Sequence, residues 1–182
     1  MQKPKWMQPA ISKHGNFSMT SSQSNLALLD NTVLSNFARV DRYNLVMDLW
    51  PSCATTLEAW QEFQAGVIIG KLPKNVWKGL SLIELTADER ESSNGLSNIL
   101  GLGERTCIAA AKHRHGLFMT DDRKARQVAL ELGIKITGTL GILVVAVERR
   151  KITLEEANRL LAAMIENGYR SPVDELDSLL LG

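Results

Sequence analysis

Six carboxylates stand where a chain of alternating strands and helices would offer them to a ligand. Asp30 follows the apolar run Leu26-Ala27-Leu28-Leu29, and Asp121 and Asp122 follow Leu117-Phe118-Met119-Thr120. Open α/β sheets bind ligands beyond the carboxyl ends of their strands, so both runs would deliver acids to one edge. Glu104 opens a helix in register with Cys107, Ile108 and Ala111, at the N-terminal end of a core-facing stripe. A carboxylate on such a face is costly unless something pairs with it, and a cation is one solution. Glu58 and Glu62 lie one turn apart on one helix face, Glu62 bordering Phe63 near the helix end.

Acids gathered at one strand edge suit a hard divalent cation such as Mg²⁺ or Mn²⁺, which takes oxygen ligands and keeps several waters. Such an ion polarises a phosphoryl oxygen and supplies a hydroxide nucleophile, and a second ion would stabilise the leaving oxygen. No His, Ser or Cys nucleophile is needed, and none is well placed. Each acid also has a plainer use. Asp is a favoured N-cap, and Asp30, Asp121 and Asp122 all precede helices. Glu104 in a first turn suits the helix dipole, and Glu58 with Glu62 would serve as a solvated face.

The elements that must position these groups follow from periodicity and turn residues. Strands are expected at 26–29, 54–55, 80–86, 117–120 and 134–137. Helices are expected at 32–38, 43–50, 57–65 with Gly66 just beyond, 87–99, 104–114, 123–132, 140–150, 154–167 and 173–181, with Gly101-Leu102-Gly103 breaking the chain. This alternation implies an α/β fold with a mostly parallel sheet. Residues 1–24, rich in Ser, Gln, Pro and Asn, are expected to be a disordered tail before one domain over residues 25–182.

Composition narrows the classes. The sequence is 45% hydrophobic and 23% charged with a net charge of +1, which fits a globular protein whose grip on nucleic acid would need a local patch. No stretch is long and apolar enough to span a membrane. Cys53 and Cys107 lie among apolar neighbours and read as free buried thiols of a reducing cytoplasm. His14, His113 and His115 are too few and scattered for a zinc site.

Leu28-Leu29-Asp30-Asn31-Thr32-Val33-Leu34-Ser35-Asn36-Phe37 resembles the opening strand and helix of PIN domains. Glu62-Phe63-Gln64-Ala65-Gly66-Val67 resembles the block of the second acid, with Glu58 as a competitor. The run Gly101-Leu102-Gly103-Glu104-Arg105-Thr106-Cys107 resembles the block of the third acid, which is Asp in many toxin members. Met119-Thr120-Asp121-Asp122-Arg123-Lys124-Ala125-Arg126 resembles the last acidic motif, whose form favours Asp122 over Asp121. Ile136-Thr137-Gly138-Thr139-Leu140-Gly141-Ile142-Leu143 is similar to a subgroup related to VapC-type toxins of toxin–antitoxin pairs.

The resemblance covers roughly residues 25–170. It implies a three-layer α/β/α sandwich and a metal-dependent endoribonuclease with Asp30, Glu62, Glu104 and Asp122 in catalytic roles. Asp30, Glu104, Asp122 and Asp121 would hold Mg²⁺ or Mn²⁺. Arg123, Lys124 and Arg126 would hold the RNA backbone, with Arg105, Lys112 and Arg114 as further candidates. Arg126, one turn beyond Asp122, could instead pair with a site carboxylate. A homodimer silenced by a small antitoxin is also implied, the stripe Leu160, Leu161, Met164 and Ile165 being either a contact surface or core. Two other readings stand beside it: a PIN-like protein that binds RNA or a partner without cleaving, and a doubly wound phospho-acceptor domain.

Overall fold

Five short strands pair in parallel in the order β3-β2-β1-β4-β5: β1 Ala27–Leu29, β2 Cys53–Thr56, β3 Ser81–Ile83, β4 Leu117–Met119 and β5 Lys135–Thr137. The computed structural model describes residues 26–74 and 76–180, so the expected tail lies outside the described residues. The helices are α1 Asn31–Arg39, α2 Tyr43–Leu49, α3 Leu57–Ile68, α4 Ala87–Asn94, α5 Leu102–His113, α6 Arg123–Glu131, α7 Thr139–Glu148, α8 Leu154–Glu166 and α9 Asp177–Leu180.

The central strand β1 is buried on both faces, which its continuous apolar run anticipates. Leu29 faces one core with Cys53, Met119 and residues of α1, α2, α7, α8 and α9. Leu28 faces a second core with Ala54, Phe118 and residues of α5 and α6. The alternation of side chains across a strand thus yields three layers, helices on either side of a parallel sheet. Small residues of α5, Ala110 and Ala111, let that helix lie close to the sheet.

Topology fixes where a ligand can bind. From β1 the sheet grows one way to β2 and β3 and the other way to β4 and β5. The direction reverses between β1 and β4, where the crevice of a doubly wound sheet opens. Register aligns Leu29 with Met119, so Asp30 and the segment Thr120-Asp121-Asp122 emerge side by side at that point.

Some expected boundaries move. Helix α3 runs through Gly66 to Ile68. A Cβ at Gly66 would fall 2.6 Å from Leu72 Cδ1, so glycine there gives the returning chain room. Leu102 and Gly103 form the first turn of α5 instead of breaking the chain. The third strand is only Ser81–Ile83, and α4 ends at Asn94. Leu160, Leu161 and Met164 are buried in the first core, so that part of the α8 stripe is not a contact surface. Both cysteines are free and buried, as expected.

Candidate active site

Asp30 occupies the N-cap position of α1, yet its side chain does not cap the helix. Its Oδ2 instead accepts hydrogen bonds from the hydroxyls of Thr32 and Thr120, both at 2.9 Å. Those hydroxyls accept in turn from the backbone N–H groups of Asp121 and Asp122, each at 3.1 Å. Two threonines therefore tie the first acid to the turn after β4. The other oxygen, Oδ1, is buried without a hydrogen-bond partner. Asp30 is 1% exposed, and burial pushes its carboxyl above the ordinary range, with the charge of Glu62 adding to the effect.

Asp122 is a true N-cap. Its Oδ1 accepts from the backbone N–H groups of Lys124 at 2.8 Å and Ala125 at 2.9 Å.

Glu62 and Glu104 meet at the N-terminus of α5. Glu62 Oε1 accepts from Gly103 N–H, and Glu104 Oε2 accepts from Gly101 N–H, both at 2.8 Å. The positive end of the helix favours both charges. Gly103 makes the meeting possible: a Cβ there would lie 2.8 Å from Ala59 Cα and 2.9 Å from Glu62 Oε2. The Glu104 carboxyl is raised to about 7, first by burial and then by the like charges of Asp30, Asp122 and Glu62. Four acids from four elements therefore act on one another. Among the described residues, no three acidic, histidine or cysteine side chains are gathered tightly enough to hold an ion as they stand.

The structure separates the two ambiguous pairs. Glu58 turns toward α4, where Arg90 lies 3.8 Å away, while Glu62 joins the group around α5. Asp121 is engaged by four donors. Its Oδ1 accepts from Thr139 N–H at 2.9 Å and Tyr169 OH at 3.4 Å, and its Oδ2 from Thr139 OH at 2.5 Å and Asn36 Nδ2 at 3.0 Å. Burial raises its pKa. Gly138 lets the turn before α7 close over it, since a Cβ there would fall 2.6 Å from Asp121 Oδ1. Asp121 thus joins β4 to α1 and α7, and both of its oxygens are taken.

A family model for the PIN domain matches residues 26–181. The chain belongs to the PIN-domain family. PIN domains are generally nucleases. Neither the curated proteins nor the solved structures give a match to this chain.

Around the acids of this PIN domain, Arg123 and Lys124 are exposed at the start of α6. Arg126 turns inward, donating from Nη1 to the carbonyls of Thr120 at 2.8 Å and Thr137 at 3.1 Å. Burial lowers its pKa, against the opposing charge of Asp121. It braces the strand ends from inside. Arg114 clasps Glu89 through Nε at 2.6 Å and Nη2 at 2.8 Å, joining α5 to α4. Arg105 donates to Asn98 Oδ1, and Lys112 is exposed. No helix among the described residues is long and apolar enough to cross a membrane.

Sequence reasoning missed Thr32, Thr120, Asn36, Thr139 and Tyr169 as supports of the site. A hydroxyl two residues after Asp30, and another directly before the Asp pair, were local signals. Tyr169 had none, because its partner lies 48 residues away.

Proposed function

We propose that this PIN domain is a metal-dependent endoribonuclease that hydrolyses RNA phosphodiester bonds. Asp30, Glu62, Glu104 and Asp122 would hold Mg²⁺ or Mn²⁺. The observation that carries the reading is Asp30 itself, a buried carboxylate that does not cap its helix and keeps Oδ1 unpartnered beside two glutamates. Burying such charges together is costly unless a cation compensates them. The donors are all carboxylate oxygens, the chemistry that hard divalent ions select. Asp30, Glu62, Glu104 and Asp122 each engage hydrogen-bond donors through one oxygen, which leaves the other for a ligand.

When bound, the ion would polarise a phosphoryl oxygen and make a water acidic enough to attack. The protein's own part is placement. Thr32 and Thr120 hold Asp30 in one orientation, and the α5 N-terminus holds Glu62 and Glu104. Arg123 and Lys124 would position the phosphate backbone without reading sequence. Glu104, whose carboxyl is raised in the metal-free site by burial and by the neighbouring acids, would give up its proton when the ion binds. From the resemblance to toxins the proposal extends to a cytoplasmic, homodimeric protein silenced by a small antitoxin.

The test is cleavage of a structured RNA pool with Mn²⁺, with chelator, and with Asp30→Asn. Mn²⁺-dependent cleavage lost in the variant is expected, and full activity in that variant would refute the reading. The absence of a preassembled ligand set among the described residues favours a second reading, a PIN relative that binds RNA or a partner without cleaving. RNA binding with no hydrolysis under any metal would select it.

A further inference from the structure

The other side of α3 borders a groove of about 480 Å³, flanked by Pro73, Lys74, Val76 and Lys78. Trp60, Phe63 and Val67 line it from the helix, and Lys74, Val76 and Lys78 from the facing segment. Trp60 is half-buried and stacks on buried Phe63, with ring centroids 5.1 Å apart and planes inclined by 21°. The indole is therefore braced from behind. The facing segment is anchored too, because Trp77 is buried and donates from Nε1 to Leu34 O at 3.0 Å. Lys74 and Lys78 are exposed, and no acidic residue is among the described residues that line the groove.

A fixed aromatic face beside two ammonium groups complements a ligand that carries both flat rings and negative charge. Single-stranded nucleic acid has that combination, with bases to stack and phosphates to pair. An acidic peptide would answer the lysines but would leave the braced indole without a role. Trp60 and Glu62 are two residues apart on α3 and so project from nearly opposite sides of it. Glu62 reaches α5, while Trp60 faces the groove. The acids and the indole are thus separated by about the width of a single helix.

We propose that this groove is a second nucleic-acid site, which binds single-stranded RNA a few nucleotides from the bond at the acids. Its place in a reaction rests on the nuclease reading above, but its binding does not. The test is fluorescence anisotropy of a short labelled oligouridylate on the full chain, with chelator present so that nothing is cut. The double variant Lys74→Glu/Lys78→Glu is expected to weaken binding by on the order of tenfold or more. It should also flatten the salt dependence by about 0.7 in log–log slope for each phosphate that is no longer neutralised. Trp60→Leu is expected to weaken binding by on the order of tenfold with the salt slope kept. Thermal melting checks that each variant folds.

Wild-type affinity in the lysine double variant would overturn the site. Wild-type affinity in Trp60→Leu, or displacement by oligoglutamate as readily as by oligouridylate, would overturn its assignment to nucleic acid. Cleavage of the structured RNA pool by the wild type with Mn²⁺ tests the nuclease reading separately. Failure there, with the binding effects intact, would leave the groove standing and remove the nuclease.

Discussion

Replacing Gly103 with Ala probes how α3 and α5 build the site. The new Cβ would sit 2.8 Å from Ala59 Cα, a backbone atom that cannot rotate aside, and 2.9 Å from Glu62 Oε2. Forcing a methyl into a packed interface costs about 1–3 kcal/mol. Displacing Glu62 from Gly103 N–H removes a charge-assisted bond, about 1.5 kcal/mol at the low end that suits a partly exposed carboxylate. Against these, Ala gains at most about 1 kcal/mol of helix propensity over Gly. The net loss is about 1.5–3.5 kcal/mol, which for a domain of this size lowers the melting midpoint by about 3–14 °C. Gly101→Ala is the control. Its Cβ would meet nothing nearer than Glu62 Oε1 at 3.5 Å, and its φ of −61° suits any residue. Circular dichroism melts in metal-free buffer, with Mn²⁺-dependent cleavage beside them, decide the matter. If Gly103→Ala melts and cleaves like Gly101→Ala, the close approach of the two helices does not position Glu62.

Glu104→Gln should change how stability depends on pH. The raised carboxyl favours the protonated form in the fold, so its contribution is full below about 4.5 and is lost as pH rises through about 7. Metal-free wild type should therefore lose stability relative to Glu104→Gln across that window in melts at graded pH, and parallel curves would contradict the coupling. Arg114→Ala strands Glu89, which is 2% exposed and has its pKa lowered chiefly by the Arg114 hydrogen bonds. Discounted for the partial exposure of Arg114, about 2–3 kcal/mol should be lost in urea unfolding. The wild-type advantage should fade as acid protonates Glu89, and an unchanged midpoint at neutral pH would contradict it. Asp121→Ala deprives Asn36, Thr139 and Tyr169 of their acceptor and should cost about 3 kcal/mol or more. Asp122→Ala should cost only about 1 kcal/mol as a lost cap, yet should remove Mn²⁺ binding. The reverse order of stability would overturn the roles given to this pair.

The edge of the sheet that carries the acids was legible because β1 and β4 are short apolar runs, each delivering an acid beyond its end. The choice between Glu58 and Glu62 was not, since residues four apart share a helix face and only the approach of α5 distinguishes them. Asp121 and Asp122 are adjacent, so what separates them is partners on α1 and α7 and a tyrosine after α8. Gly66 reads as a helix stop in isolation, and its use inside α3 appears only when Leu72 folds back against it. Arg126 reads as a holder of the RNA backbone or a partner of a site carboxylate until its bonds to the carbonyls of Thr120 and Thr137 turn it inward. In each case the deciding neighbour lies outside the local sequence pattern.

Calorimetric titration of Mn²⁺ into wild type and Asp30→Asn asks whether Asp30 builds a metal site. Asn can still accept from the Thr32 and Thr120 hydroxyls, so the variant should remain folded. Saturable Mn²⁺ binding is expected in wild type and none in the variant. A folded wild type that takes up no Mn²⁺, or a variant that binds it equally well, would contradict a metal site built on Asp30.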